Sequence, residues 1–537
     1  MNTYNSAIRA GEELTSDKIS YDVSLPNIPA QDFLITEFGA VGDGVTDNTE
    51  VFRLAIAACS EAGGGRIVIP AGVWLTGPII LRSRIELHVQ AGALVTFSRD
   101  FDQYPLIAST FEGWQAVRCQ SPIDGDQLED IAITGEGVWD GNGEAWRPVK
   151  RSKLTASQWK ALAASGGVIE HTSGEEEIWW PSQSALEGNA VANRMHVEQV
   201  RDLSAYEGIR DFLRPNMVSL RRCKRVLLDG PTFQNSPAWN LHPWASEHVT
   251  IRNVSVRNPW FSQNGDGLDI ESCRYVLVEN SVFDVGDDAI CMKSGKDAEG
   301  RELGLPLEYV TIRGCTVYHG HGGFVIGSEM SGGVRHVRVS DCTFIGTDIG
   351  LRFKSARGRG GVVEDIEIER IYMKDIIMEA ISFSFFYANQ EGSARGSDIA
   401  HEVTEETPVF RDIRIKDVVC SGADTALLVS GLPEMPLDGL VIEGYRVSAQ
   451  KGVQCSHAKH VRIADLQLTV TEGSLIELHQ CKGAELEGIE GTGADGRLLR
   501  ITGHDTTGIV CRGEVADTEG RQISIGPNVR SGALIRQ

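Results

Sequence analysis

A short apolar unit returns along the middle of the chain, and it narrows the choice of folds more than any other feature. It starts at Arg225, His248, Tyr275, Tyr309, His336, Asp365, Asp412, Gly439 and His460, in steps of 23, 27, 34, 27, 29, 47, 27 and 21 residues. The second residue of each unit is Val226, Val249, Val276, Val310, Val337, Ile366, Ile413, Leu440 or Val461, and the fourth is Leu228, Ile251, Val278, Ile312, Val339, Ile368, Ile415, Ile442 or Ile463. Both columns are apolar and the residue between is often polar, so each unit alternates with period two and turns one face inward. Five residues after each start stand Gly230, Asn253, Asn280, Gly314, Asp341, Arg370, Asp417, Gly444 and Asp465. All but Arg370 are types that tolerate a left-handed turn. A strand, a sharp turn and a further strand, repeating every 20 to 30 residues or so, describe a solenoid. Neither the leucine-rich pattern nor a 3.6-residue period is present. The expectation is an all-β parallel β-helix with like positions stacked about 4.8 Å apart.

Solenoid ends need covers. Asp47-Asn48-Thr49-Glu50 runs into Val51, Phe52, Leu54, Ala55, Ile56, Ala57 and Ala58, and Gly63-Gly64-Gly65 follows. That pattern predicts an amphipathic capping helix with a polar start and a glycine stop. Early rungs follow at Arg84–Leu87 and Asp130–Ile133. We divide the chain into a polar N-terminal segment, 1–30, and one β-helix domain, 31–537, with insertions near 144–212 and 385–411. The first insertion carries Trp146, Trp159, Trp179 and Trp180. Its aromatics suit either stacking on sugars or pinning the insertion to the solenoid.

Composition removes several alternatives. The formal net charge is −23, which argues against nucleic acid as a partner. An anionic substrate would then need a local basic patch. No apolar run reaches the roughly 18 residues of a membrane span, so no membrane partner is expected. The first 20 residues show no apolar core of a secretory signal. The eleven Cys are odd in number and lack CxxC spacing. They read as small buried hydrophobes in a reducing compartment, not as a disulfide framework or a structural zinc site. A cytoplasmic location, no metal and no cofactor are therefore expected. The oligomeric state is left open.

Polar groups recur downstream of four consecutive units. Asn264-Gly265-Asp266 stands 16 to 18 residues after His248, Gly286-Asp287-Asp288 11 to 13 after Tyr275, Gly320-His321-Gly322 11 to 13 after Tyr309, and Arg352-Phe353-Lys354 16 to 18 after His336. Each alone is an ordinary turn or strand motif. Stacked on neighbouring rungs they would meet on one outer face. Cleaving a glycosidic bond needs one carboxylic acid to protonate the leaving oxygen and another carboxylate to activate water or attack the sugar. Neighbouring carboxylates raise one another's proton affinity, and Arg and Lys can grip an anionic sugar. Arg352, Lys354, Arg357 and Arg359, with Lys293, Lys296 and Arg301, supply the basic patch.

These motifs resemble those of glycoside hydrolase family 28, the polygalacturonases, which carry Asn-Thr-Asp, Gly-Asp-Asp, Gly-His-Gly and Arg-Ile-Lys in this order. The segments FGAVGDGVTDNT near residue 38, NSPAWNLHP at 235–243, DDAICMKSG at 287–295 and IGSEMSGGV at 326–334 agree too. The likeness spans residues 34–380 or so. It implies a right-handed parallel β-helix and an inverting hydrolysis of α-1,4-linked galacturonic acid. By motif, Asp287 is the general acid, Asp266 and Asp288 activate water, and His321 tunes and orients the acid. Arg352 and Lys354 hold the galacturonate carboxylate, with Asn264, Lys293 and Tyr387 as further substrate contacts. Gly265 replaces Thr, and Phe353 replaces Ile at a position that still packs inward. The Gly-His-Gly histidine and the full basic motif favour homogalacturonan over rhamnogalacturonan, while a family hydrolase acting on another pectic polymer, rhamnogalacturonan or xylogalacturonan, stays open as the alternative. The segment KSGKDAEGR and the large insertions resemble bacterial exo-acting members. The expected partner is thus an anionic pectic oligosaccharide or polysaccharide. A calcium-dependent pectate lyase and a non-catalytic, tailspike-like carbohydrate-binding solenoid are the competing readings.

Overall fold

The computed structural model describes residues 21–174, 176–387, 398–512 and 522–537. Residues 1–20 of the expected polar segment, and 388–397 of the second insertion, lie outside the described residues.

The apolar columns stack as continuous parallel ladders, giving a right-handed parallel β-helix with three strands to a rung. Val226 pairs with Val249, Val249 with Val276, Val276 with Val310, Val310 with Val337, and Val337 with Ile366. All are buried in one apolar core that runs from Ile35 to Cys511. Each such side chain contributes about 1.5–3 kcal/mol by leaving water.

One detail of the repeat differs from its sequence reading. The unit's first residue is not the first residue of the strand. Lys224 pairs with Glu247 and Val226 with Val249, while Arg225 and His248 are skipped. Arg225, His248, Tyr275, Tyr309, His336, Asp365, Asp412 and His460 all have φ between 52° and 60°, and Gly439 has 71°. The unit therefore opens on a left-handed residue inside a strand that has already begun, and because each neighbouring strand carries one at the same place the register is kept. Left-handed backbone is costly for bulky residues. Here the displaced rings stack on one another: His248 on Tyr275 at 5.0 Å, Tyr275 on Tyr309 at 5.1 Å and Tyr309 on His336 at 4.9 Å. The turn residues five positions on are left-handed without exception. Arg370 adopts φ 52° as well, with its guanidinium held by Asp341 at 2.7 and 2.8 Å.

Helix α1 (Thr49–Glu61) covers the N-terminal end and buries Phe52, Ala55, Ile56 and Cys59. Its polar start works differently from a simple cap. Asp47 Oδ1 accepts from the Thr49 amide at 2.8 Å, while Asn48 turns away to bond the backbone of Val41 and Leu75.

The stretch 144–212 folds into a small antiparallel sheet and two helices, Ala156–Ala164 and Gln183–Val197. Its tryptophans pin it in place. Trp146 packs edge-on against Phe101 and Tyr104, and Trp159 and Trp179 share a small core with Val149. Trp180 donates to Glu170. An antiparallel hairpin that the repeat did not reveal, Leu106–Phe111 with Trp114–Cys119, packs on this insertion through Leu106, Val117, Tyr206 and Leu213.

Candidate active site

The polar motifs ride on one of the three sheets. Its strands are β1 (Leu241–Trp244), β2 (Leu268–Glu271), β3 (Asp288–Lys293), β4 (Gly322–Ile326), β5 (Leu351–Lys354) and β6 (Glu379–Ser384). Ile270, Met292, Ile326 and Phe353 pair in sequence and face the core. Phe353 stacks on Phe383 of β6 at 4.2 Å. With those residues inward, the alternate positions Asp269, Glu271, Lys293, Arg352 and Lys354 face outward. Asp266, Asp287 and His321 sit where the chain turns into β2, β3 and β4, and Asp288 opens β3. Turn and strand residues of successive rungs thereby converge.

The carboxylates of Asp266, Asp287 and Asp288 lie within 4.8 Å of one another. Lys354 Nζ donates to Asp288 Oδ2 at 2.5 Å and Arg352 to Asp288 Oδ1 at 3.2 Å. Arg352 also donates to the His321 carbonyl at 3.3 Å. His321 Nδ1 stands 3.1 Å from Asp287 Oδ1, and its other nitrogen faces Asp348 at 3.8 Å. The Tyr387 ring lies 4.9 Å from Lys354 Nζ and 5.8 Å from the Arg352 guanidinium. Three carboxylates this close could also gather a hard cation, but Lys354 and Arg352 already supply counter-charge there.

The three acids differ in proton affinity. Burial pushes Asp266 well above the usual carboxylate range, and the charges of Asp269 and Asp287 push it further. Burial also raises Asp287, but the hydrogen bond and charge of His321 outweigh it and hold the acid low. Asp288 is driven lower still, because Lys354, Arg352 and Lys293 overcome its burial. His321 is raised in turn by its hydrogen bond to Asp287. Of the three acids Asp266 thus holds a proton most readily, while Asp287 and His321 favour the charged form of one another.

Not all the predicted contacts face the cleft alike. Asn264 Oδ1 accepts from Arg214 at 2.8 Å. Lys293 is buried beneath Trp239, 4.6 Å from its ring, and pairs with Glu329 at 2.8 Å and Asp269 at 3.4 Å. Of the wider basic patch, Arg357 is held by Glu434, Arg359 by Asp297, and Arg301 by the carbonyls of Gly358 and Arg359. Those charges are held on the wall of the cleft, whereas Arg352 and Lys354 bond Asp288 directly and Lys293 acts on the acids from beneath.

Sequence reading missed Asp269, Glu329, Asp348 and the hairpin. Asp269 carried a signal, since the alternation Leu-Asp-Ile-Glu puts it on the same face as Lys293. It is fully buried, and burial, only partly offset by Lys293, pushes it up to about 8. Burial works against Glu329 too, but Lys293 holds it down to about 2. The hairpin tip meets Asn264 and the segment that follows β3. The Lys296 amide donates to the Gly113 carbonyl at 3.0 Å, the Gln115 amide to Glu299 at 2.9 Å, and Asn264 to Glu112 at 3.4 Å. Gly113 is left-handed with φ 78°, and a Cβ there would meet Lys296 Cβ at 2.8 Å. Phe111 stacks on Trp239 at 5.2 Å, and Lys296 lies over Trp114 at 3.6 Å.

This geometry has relatives. The sequence profile of Glycosyl hydrolases family 28 matches residues 211–464. A solved exopolygalacturonase from Thermotoga maritima is 33% identical with a TM-score of 0.68, covering 83% of this chain and 93% of that one. A probable polygalacturonase from Vitis vinifera is 29% identical over 77% of this chain and 73% of its own length. An exo-poly-alpha-D-galacturonosidase from Dickeya chrysanthemi is 27% identical over 74% of this chain and 64% of its own. The protein belongs to glycoside hydrolase family 28 and is a glycoside hydrolase built on a parallel β-helix.

Proposed function

We propose that the enzyme hydrolyses α-1,4 bonds between galacturonic acid residues of pectic oligosaccharides or homogalacturonan, from a chain end. The observation that carries the reading is the meeting of three carboxylates with Arg352 and Lys354 on one outer face. The three cited relatives are named for the same substrate class.

Asp287 serves as the general acid and works as a couple with His321. An ion pair and a neutral pair differ there only by a proton shift across the 3.1 Å contact. Water excluded by the bound sugar disfavours the ion pair, so Asp287 becomes the neutral acid, and its carboxylic proton is the one given to the leaving oxygen. Asp288 takes the proton of the attacking water. In the unliganded site it is a poor base, because Lys354 and Arg352 hold it. A galacturonate carboxylate competes for those two cations and leaves Asp288 more basic. Substrate would thus switch on its own base, while Asp266 positions the water.

Inversion remains our reading of stereochemistry. One oxygen of each acid lies within 4.8 Å of the others, whereas the carboxyl groups of many inverting enzymes stand roughly 6.5–9.5 Å apart. A water held beside two carboxylates need not fit between acid and base, so the usual spacing is not required. Proton NMR of the first product anomer tests this, and initial retention of configuration would refute it.

The hairpin supports exo action, since it is backed by the insertion and held against Asn264, Lys296 and Glu299 beside the acids, where its bulk would leave room for a chain end. Timed product analysis on a galacturonic acid trimer and on polymer is the direct test. Monomer from the first time point is expected, whereas a ladder of oligomers would mean endo attack. Unsaturated, ultraviolet-absorbing products would point to a lyase. The buried free thiols fit a reducing compartment, and cytoplasmic action on short oligosaccharides is our reading of where the enzyme works. Cell fractionation tests that.

A further inference from the structure

The sheet that carries the catalytic motifs continues past them through β7 (Thr425–Ser430) into the C-terminal halves of β8 (Leu437–Ser456) and β9 (Ala458–His479), and then β10 (Arg497–Thr502). Lys354 pairs with Ser384, Ser384 with Ser430, Ser430 with Ser456, and Ser456 with His479. Four rungs, or about 19 Å, thus separate Lys354 from His479 on one face.

At that point two imidazoles turn the same nitrogen toward one carboxylate. His457 Nε2 is 2.9 Å from Asp398 Oδ1, and His479 Nε2 is 3.0 and 3.3 Å from its two oxygens. The rings stand nearly perpendicular, at 85°, with centroids 5.9 Å apart. Thr502 Oγ1, 3.0 Å from His479 Nδ1, fixes that ring from behind. His457 is buried. The group borders a cavity of about 320 Å³ whose wall includes Gln454, Glu477 and Arg500.

We propose that Asp398, His457 and His479 bind a divalent transition-metal ion of the zinc class. The donor set is the first reason. Two neutral imidazole nitrogens and a carboxylate suit zinc and its neighbours, whereas calcium and magnesium call for oxygen ligands. Spacing is the second. Bonds of about 2.0–2.1 Å place adjacent ligand atoms roughly 3.0–3.4 Å apart, close to the nitrogen–oxygen separations already present. The orientation of His479 by Thr502 is the third, because a ligand histidine is ordinarily held through its other nitrogen. The neighbouring cavity leaves room for water or an anionic oxygen to complete the coordination.

The site is not legible in the sequence. Its residues are 59 and 22 positions apart and match no metal-ligand spacing. His479 also lies beyond the family match, which ends at residue 464. Asp398 and His457 lie within it. Asp398 belongs to the connection between β6 and the strand Val409–Ser421, and that connection begins beside Tyr387 at the catalytic site. A bound ion would tie this connection to two later rungs.

The full chain, stripped with chelator and desalted, should take up one zinc ion per chain in calorimetry. Cobalt should give visible absorption bands of a nitrogen- and oxygen-ligated ion. Asp398→Ala changes a half-exposed side chain and should fold normally, and His479→Gln supplies a second variant. Each should weaken zinc binding at least about 100-fold and lose the cobalt bands, with circular dichroism unchanged. No uptake by the unaltered protein would overturn the proposal. So would binding that survives both variants but is lost in Asp266→Asn, which would put the ion among the catalytic acids.

Discussion

The middle rungs and the late rungs present the same sheet face with different chemistry. Inward, one column runs unbroken through both: Ile270, Met292, Ile326, Phe353, Phe383, Val429, Cys455, Leu478 and Ile501. Outward, β2 to β5 offer Asp269, Glu271, Lys293, Arg352 and Lys354, whereas β7 to β10 offer Ser430, Gln454, Ser456, Glu477, His479 and Arg500. The core is indifferent to which set it carries. Backbone register supplies position, outward side chains supply reactivity, and the two vary independently along the axis.

That separation can be broken most severely at Asp287. Asp287→Asn should lower kcat by about 10³-fold or more, within the range expected for a general acid, and leave the thermal midpoint nearly unchanged. Retention of a tenth of the activity would place the acid elsewhere. Next come paired core truncations, Phe353→Ala and Leu478→Ala. Each should cost about 2–5 kcal/mol in denaturant unfolding, but only the first should also depress kcat/KM once folding is corrected for. Equal loss of activity would mean that late-rung packing reaches the catalytic site. Lys354→Met removes the nearest partner of a buried carboxylate. It should destabilise by about 3 kcal/mol and raise KM, since Arg352 alone then faces both Asp288 and substrate.

The pH profile makes a finer test. His321 is raised by Asp287, so its proton persists above the ordinary histidine value of about 6.5. As pH climbs through the raised value the Asp287–His321 couple loses its proton, and kcat/KM should fall about tenfold per pH unit. The same shift favours the fold below the ordinary value, a contribution lost as pH rises through the raised one. In Asp287→Asn the imidazole should titrate lower, as followed by NMR. A limb that does not move with that histidine would separate the couple from catalysis. Smallest of all, Gln454→Ala, on the outward face of a late rung and partly exposed, should stay within about 0.5 kcal/mol of the parent and leave kcat/KM unchanged.

Much of the fold was legible because the repeat writes its constraints in residue types. Alternating Val and Ile specify an inward face, and Gly, Asn and Asp specify turns. Arg370 shows the limit: its left-handed turn is sustained by an ion pair with Asp341 on the neighbouring rung, a long-range partner that local composition does not announce. The left-handed residues Tyr275 and Tyr309 were hidden for a similar reason, since ring stacking between rungs offsets their backbone strain. At the active site, the motifs that head strands were readable from shared phase. The closing hairpin was not, because its contacts with Lys296 and Glu299 join residues nearly two hundred positions apart. The Asp398, His457 and His479 group was invisible too, because the stacking of rungs brings it together and no local motif records it.

The eleven cysteines carry a different consequence. All are buried free thiols, and they are strung from Cys59 on the inner face of the capping helix to Cys511 near the far end. A solenoid's rungs lean mainly on their neighbours, so it can open from one end before the other. A thiol reagent would then label the cysteines in the order their rungs part, and the chain carries a graduated scale of its own unzipping.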